Sequence, residues 1–148
     1  MERSETVKRI AALAVALFIL AAPSFAQSLN EREVEIDGGR ATLHGTLMLP
    51  LSGAAREVAL ILPGSGPTDR NGNFPEGENN SLKMLADGLA QKGIATLRID
   101  KRGVGASFAA ALDEAELRAE TYVEDAIAWA DFLKAEMPGA RLFLIGHS

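Results

Sequence analysis

Cysteine is absent from this 148-residue sequence, and histidine occurs only twice. Without thiols the chain forms neither a disulfide scaffold nor a thiolate metal site, and it has no cysteine nucleophile. Two imidazoles without cysteine are too few for an ordinary zinc site. Positive charge is also scarce, because 15 Lys and Arg against 20 Asp and Glu leave a net charge of −5. We therefore expect no cofactor, no metal and no nucleic-acid partner.

The N-terminus has the layout of a secretory signal peptide. A positively charged start precedes an apolar run over residues 10–22, and the small residues Ser24 and Ala26 indicate cleavage after Ala26. A helix over this run is about 20 Å long, too short for the ~30 Å hydrocarbon core. We predict that residues 1–26 are a cleaved signal directing a bacterial protein to the periplasm or the exterior, without a stable membrane anchor afterwards. An uncleaved N-terminal anchor is the alternative.

The predicted mature chain, residues 27–148, alternates between strand and helix patterns. Five strands are predicted, at residues 33–37, 41–49, 58–62, 94–99 and 141–145. Two glycines after Asp37 indicate a hairpin between the first two strands. The later strands alternate with helices, which predicts right-handed βαβ units. The fold class is therefore α/β, with a mainly parallel sheet and an N-terminal antiparallel hairpin.

Two helices are predicted between the later strands. The first is expected to begin with Ser81 as its N-cap and to end at Gly93 in the C′ position. Its buried stripe is predicted to comprise Leu82, Leu85, Ala86 and Leu89. In the second helix, Thr121 and Glu124 have the spacing of a capping box. Its buried stripe is predicted to comprise Val123, Ala126, Ile127, Ala130 and Leu133.

The glycine-rich loops after two strands do not match nucleotide-binding motifs. Where a dinucleotide fingerprint requires its third glycine, the first loop has Asp69 and the second has Phe108. Residues 69–73 begin like a calcium loop but lack its glycine and its terminal glutamate. We interpret them as turn formers. His44, alone within a strand, is interpreted as a structural residue.

The last residues, Gly146, His147 and Ser148, follow a hydrophobic strand. They match the first three positions of the Gly-x-Ser-x-Gly nucleophile elbow, whose sharp turn lifts the serine hydroxyl away from the sheet. Glycine is expected at position 146 because a side chain there would collide with the tight turn. Ser148 is therefore the candidate nucleophile.

Together with two earlier loops, this elbow resembles the α/β-hydrolase superfamily, near its serine-aminopeptidase (S33) and dienelactone-hydrolase branches. The resemblance runs from about residue 33 to residue 148. The segments that carry it are residues 62–72, LPGSGPTDRNG, residues 98–107, RIDKRGVGAS, and the elbow, in the order and spacing of the family. It implies the α/β-hydrolase fold and serine hydrolase chemistry.

The resemblance assigns the first loop to the oxyanion hole, with the backbone N–H of Ser65 as one donor. The loss of one such donor typically costs ~10²–10³ in rate. Gly64 and Gly66 leave room for a substrate to approach the backbone. Many relatives carry histidine where this sequence has Pro63, so the support of that side chain is absent.

The second loop is expected to brace the site. Asp100 and Arg102 are predicted to form a charge-assisted pair. Direct contact of Arg102 with substrate is the alternative.

The sequence thus predicts a secreted serine hydrolase in which Ser148 attacks a carboxylic ester and forms an acyl-enzyme that water resolves. A serine peptidase of the same fold and a non-catalytic binding protein of this fold are the alternatives. By the family's chain order the acid and the base follow the nucleophile, and His147 is not expected to be the base. We therefore expect residues 27–148 to be the N-terminal part of a larger domain, inactive and poorly folded by themselves.

Overall fold

A computed structural model describes residues 30–113, 115–116 and 118–148 of the chain. The predicted signal peptide, residues 1–26, lies outside this part, so its cleavage remains a prediction. None of the helices in these ranges has the length and apolar character needed to cross a membrane.

Strands and helices alternate along the described chain after an initial hairpin. The elements are β1 (Asn30–Asp37), β2 (Thr42–Leu49), β3 (Glu57–Leu62), α1 (Ser81–Gln91), β4 (Ala95–Ile99), a 3₁₀ helix (Gly105–Ala110), α2 (Ala119–Glu136) and β5 (Arg141–Gly146). All five predicted strands are confirmed. The 3₁₀ helix lies within a segment that was expected to be a loop.

The strands form one mixed sheet in the order β1-β2-β4-β3-β5. β1 and β2 are the predicted antiparallel hairpin, and the turn between them is closed by Gly38 N–H donating to the carbonyl of Ala41 at 3.0 Å. β4, β3 and β5 are parallel to one another. The predicted α/β class with its hairpin is therefore confirmed.

The core lies on both faces of this sheet. On one face Trp129 and Leu133 of α2 pack against Leu43, Leu60 and Leu97 of the strands. On the other face α1 packs against Met48 and Ile61 through its own buried residues, which are Leu82, Ala86 and Ala90. Because both faces are covered, every residue of β4 is buried, as expected for an inner strand.

The start of α1 differs from the prediction. Ser81 is the first helical residue, and Asn80 takes the N-cap position with a left-handed φ of 53° and no side-chain cap. Instead, the carbonyl of Asn71 accepts hydrogen bonds from the N–H groups of Leu82 and Lys83 at 3.0 and 3.2 Å. The first loop thereby satisfies the free donors of the helix.

The end of α1 is as predicted. Gly93 has φ +87°, and its N–H donates to the carbonyl of Ala90 at 3.0 Å. Ile94 N–H donates to the carbonyl of Leu89 at 3.1 Å. This pair of bonds is a Schellman motif, which glycine at C′ permits.

The predicted start of α2 is wrong, and its predicted buried face is correct only in part. The helix begins at Ala119, so Thr121 lies inside its first turn and forms no capping box. Val123 and Ile127 are more than half exposed. The buried residues of the helix are Asp125, Trp129 and Leu133. Leu133 of the predicted stripe is therefore confirmed, and Ala130 packs against the core. Leu85 of α1 is likewise 39% exposed, since the described residues cover only one face of each helix.

Candidate active site

The loops that follow β3 and β4 meet at the carboxyl edge of the parallel strands. Together with α2 they line a cavity of about 630 Å³. The first loop contributes residues 62–67 to its wall and the second contributes residues 100–102 and Val104. Crevices at this edge are where ligands bind in open α/β sheets.

β5 brings the predicted nucleophile next to the first loop. It pairs with β3 up to Leu62 and Gly146, and His147 N–H extends the ladder by donating to the carbonyl of Leu62 at 3.0 Å. A Cβ atom on Gly64 would lie 2.6 Å from Nδ1 of His147 and 3.3 Å from the carbonyl carbon of Ser148. Glycine at position 64 thus makes room for the end of β5, in addition to the room expected for substrate.

The described residues leave open space beside Gly146. A Cβ atom placed there would meet no atom of the described residues within 4 Å, other than those of its chain neighbours. The steric reason given for this glycine stays a prediction. Ser148 itself is exposed, and neither it nor His147 lines the cavity.

Lys101 holds the first loop, although no motif in the sequence singles this residue out. Its ammonium group donates to the carbonyl of Gly64 and, at 2.5 Å, to that of Gly66. Partial burial lowers the pKa of Lys101 below its ordinary value. The available signal was its place directly after the buried strand β4, between two residues already assigned to the site.

The predicted pair between Asp100 and Arg102 does not form. Asp100, 2% exposed, is instead paired with Arg70 of the first loop, whose Nε lies 3.1 Å from Oδ2 and whose N–H donates to Oδ1 at 2.8 Å. The N–H of Ala106 also donates to Asp100, at 2.9 Å. Asp100 therefore joins the two loops, which is a bracing role achieved through a different partner.

Arg102 has its own partners on the other side of the second loop. Its guanidinium donates to both carboxylate oxygens of Asp125 on α2, at 2.7 and 2.6 Å, and to the carbonyl of Gly38 at 2.9 Å. Such two-point contacts are strong and geometrically specific. The arginine thus ties the loop to α2 and to the β1–β2 turn while also lining the cavity, and its supporting role stays a prediction.

Arg70 continues the network toward β1. It donates to Glu33 at 2.6 Å and to the hydroxyl of Thr46 at 3.0 Å, while Thr46 donates to Glu33 at 2.7 Å. Burial acts to raise the pKa of Glu33, but the hydrogen bond from Thr46 and the charge of Arg70 lower it overall. A second arginine, Arg98, is buried in β4, donates to Asn71 and Glu31, and has its pKa lowered by burial.

Residues 69–73 form a turn. Oδ1 of Asp69 accepts hydrogen bonds from the N–H groups of Asn71 and Asn73 at 2.8 and 2.9 Å, which confirms the interpretation of these residues as turn formers.

The part of the chain that the structure describes contains no group of three or more His, Cys, Asp or Glu residues able to hold a metal ion. Nδ1 of His44 lies 3.3 Å from the carboxylate of Glu35 on the neighbouring strand.

The chain is similar to known proteins in both sequence and fold. Residues 78–148 match the family model of serine aminopeptidase, S33. Esterase EstD of Thermotoga maritima is 31% identical over 123 residues, which cover 82% of this chain and 27% of that protein. An α/β serine hydrolase from Xanthomonas campestris, described as having no lid, superposes with a TM-score of 0.59 at 27% identity, over 80% of this chain and 50% of that one.

A dienelactone hydrolase from Anabaena variabilis shares the fold, with a TM-score of 0.56 at 23% identity over 81% of this chain and 52% of that one. The chain thus spans about half the length of these solved structures and about a quarter of the curated esterase. The sheet, the two loops and the strand leading to Ser148 define an α/β-hydrolase fold. The chain therefore has the α/β-hydrolase fold, and its sequence is similar to the serine aminopeptidase (S33) and esterase members of that superfamily.

Proposed function

We propose that this protein is a carboxylic-ester hydrolase and that Ser148 is its nucleophile. The observation that carries the proposal is the position of Ser148 at the end of β5, against Gly64 of the first loop. Ser65, which follows Gly64, lines the cavity, and its N–H donates to no group of the described chain. Acyl transfer uses a nucleophile together with backbone donors that stabilise the oxyanion. The similarity to an esterase supports ester substrates.

In the proposed reaction the hydroxyl oxygen of Ser148 attacks the ester carbonyl carbon while its proton passes to a general base. The resulting oxyanion accepts a hydrogen bond from Ser65 N–H. Collapse of this intermediate breaks the bond to the alcohol, which leaves with the proton, and water then cleaves the acyl-enzyme to the acid. We assign the base and its acidic partner to residues that follow Ser148 in the longer protein, in the chain order of this fold.

Peptide cleavage is the second candidate, and the match of residues 78–148 to the serine aminopeptidase model favours it. Both reactions use the same nucleophile and oxyanion site, so labelling of Ser148 does not separate them. Parallel assays with p-nitrophenyl esters and with amino-acyl p-nitroanilides do. A higher kcat/KM on the anilides would replace the ester assignment by the peptidase one.

The nucleophile is tested with a fluorophosphonate probe on protein expressed from its complete reading frame. We expect labelling of the wild type and none of Ser148→Ala. Ser52→Ala is the matched control, since Ser52 is exposed and its hydroxyl bonds only the nearby carbonyl of Ala54 at 3.1 Å. Labelling that persists in Ser148→Ala would refute the assignment. An unlabelled wild type would favour a non-catalytic binding protein.

We also propose that the protein is secreted, on the basis of residues 1–26 alone. N-terminal sequencing of the protein recovered from its native cell is expected to begin at Gln27. Recovery of an intact N-terminus in a membrane fraction would indicate the uncleaved anchor instead.

A further inference from the structure

We propose that Lys101 is a positioning residue for the oxyanion site. Its ammonium group fixes the peptide unit between Gly64 and Ser65, so that the Ser65 N–H faces away from the lysine and stays available to a ligand. The inference rests on the proposed function, because it concerns the donor assigned there to the ester oxyanion.

The geometry of one peptide unit carries the proposal. Nζ of Lys101 donates to the carbonyl of Gly64. The peptide bond that follows Gly64 is not cis, and in a trans unit the N–H, here that of Ser65, points opposite to the carbonyl. A cation that holds the carbonyl on one side therefore directs the N–H to the other.

The neighbouring carbonyls are held as well. Lys101 also donates to Gly66 at 2.5 Å, and the hydroxyl of Thr68 donates to the carbonyl of Ser65 at 3.1 Å. Three successive carbonyls thus have a donor, whereas Ser65 N–H has no acceptor within the described ranges. A Cβ atom on Gly66, which has φ +71°, would meet no described atom within 4 Å apart from its chain neighbours, so the hydrogen bonds to these carbonyls are the contacts that constrain this turn.

The charge of Lys101 adds a second effect. A cation at the carbonyl polarises the amide and makes its N–H a stronger donor, and partial burial limits the screening of that interaction by water. No carboxylate of the described chain lies within salt-bridge distance of Lys101. Its positive charge is therefore directed at the loop.

Other ionisable groups face the same cavity and belong in the interpretation of any pH profile. They are Asp100, Arg102, Tyr122 and Asp125, with His147 against Gly64. Both carboxylates are already held by arginines. Burial lowers the pKa of Lys101, so the lysine loses its proton at a lower pH than an exposed lysine does.

The test compares Lys101→Met, Lys101→Arg and Lys92→Met in protein from the complete reading frame. Methionine keeps most of the length of the side chain without its charge, and arginine keeps the charge. Lys92 is an exposed control at the end of α1. We expect kcat for a p-nitrophenyl ester to fall by about tenfold or more in Lys101→Met with little change in KM, because the donor acts mainly on the transition state. Arginine should restore part of kcat, and Lys92→Met should match the wild type.

The pH dependence supplies a readout that a purely structural role does not move. Protonated Lys101 is needed, so kcat of the wild type should fall as the pH rises through the lowered pKa of Lys101. This alkaline limb should be missing in Lys101→Met. Thermal unfolding of each variant identifies any loss of kcat that comes from loss of fold. Unchanged kcat in folded Lys101→Met, or retention of the alkaline limb, would overturn the proposal.

A measurement without substrate separates this proposal from the proposed function. The ¹H–¹⁵N resonance of Ser65 should shift as Lys101 titrates in the wild type and should not in Lys101→Met. If Ser65 responds but Ser148 is not labelled by the fluorophosphonate, the esterase assignment fails and the positioning role stands. If Ser148 is labelled but Ser65 does not respond, the positioning role fails and the esterase assignment stands.

Discussion

Gly105 is a position at which a single methyl group should disrupt the candidate site. Its backbone has φ +54°, and a Cβ atom would lie 2.5 Å from Oδ2 and 2.6 Å from Cγ of Asp100. Asp100 is buried and accepts hydrogen bonds from the N–H groups of Arg70 and Ala106. The carboxylate cannot retreat without giving up these bonds, because it is enclosed by the two loops that it joins.

Two costs add in Gly105→Ala. An alanine at a left-handed φ costs about 1–2 kcal/mol. Displacement of the carboxylate loses at least one hydrogen bond to a charged, buried group, which costs about 1.5–3 kcal/mol. The expected loss of unfolding free energy is therefore about 2.5–5 kcal/mol, a large part of the stability of an ordinary domain.

Urea unfolding followed by circular dichroism measures this loss, with Gly53→Ala as the matched control. Gly53 has φ +72° but no atom within 4 Å of the position of its missing Cβ, so alanine there should cost only the 1–2 kcal/mol of backbone strain. Equal losses in the two variants would refute the steric role assigned to Asp100. A larger loss in Gly105→Ala, accompanied by a lower kcat, would support its role in joining the loops.

Three further predictions concern the surrounding contacts. Arg102→Met should destabilise the protein by about 3 kcal/mol, because it leaves Asp125 buried without its partner. In thermal unfolding, the double variant Arg102→Met with Asp125→Leu should recover most of that loss, and an absence of recovery would argue against a direct pair. Glu33 has a lowered pKa in the folded protein, so its contribution to stability is present at neutral pH and is lost as the pH falls through that pKa. In acid-unfolding titrations, Glu33→Gln should therefore lose less stability between about pH 5 and pH 3 than the wild type. Parallel stability curves for the two proteins would contradict this. Gly64→Ala places a methyl group 2.6 Å from the His147 ring. It should lower the rate of fluorophosphonate labelling at Ser148 clearly while it changes the unfolding temperature little. An unchanged labelling rate would show that the end of β5 shifts without consequence.

Much of the fold follows from local patterns in the sequence. The alternation of Glu33, Val34 and Glu35 indicates a strand with one buried side, and the glycines after Asp37 close it into a hairpin. Gly93 ends α1 because glycine adopts φ +87° without strain. These features depend on residues that are neighbours in the chain, which is why they are predictable without a structure.

The site was predictable only in part. The order of the two glycine-rich loops and the strand ending in Ser148 identified the superfamily and the residues that meet at one edge of the sheet. The pairing of Asp100 with Arg102 was wrong because sequence proximity says little about charge partners in a turn. Asp100 is satisfied by Arg70, 30 positions earlier, and Arg102 by Asp125, 23 positions later.

The sequence by itself determined the α/β alternation, the hairpin and the location of the catalytic candidates at the ends of strands, since periodicity and turn chemistry are local properties. Only the tertiary structure decided which face of α2 is buried, because that face is the one that meets the sheet: Trp129 does, and Val123 and Ile127 do not. It alone also placed the Lys101 ammonium on the carbonyls of Gly64 and Gly66. Contacts of this kind depend on the parallel packing of β3 and β4, which brings together two loops that are more than 30 residues apart in the chain.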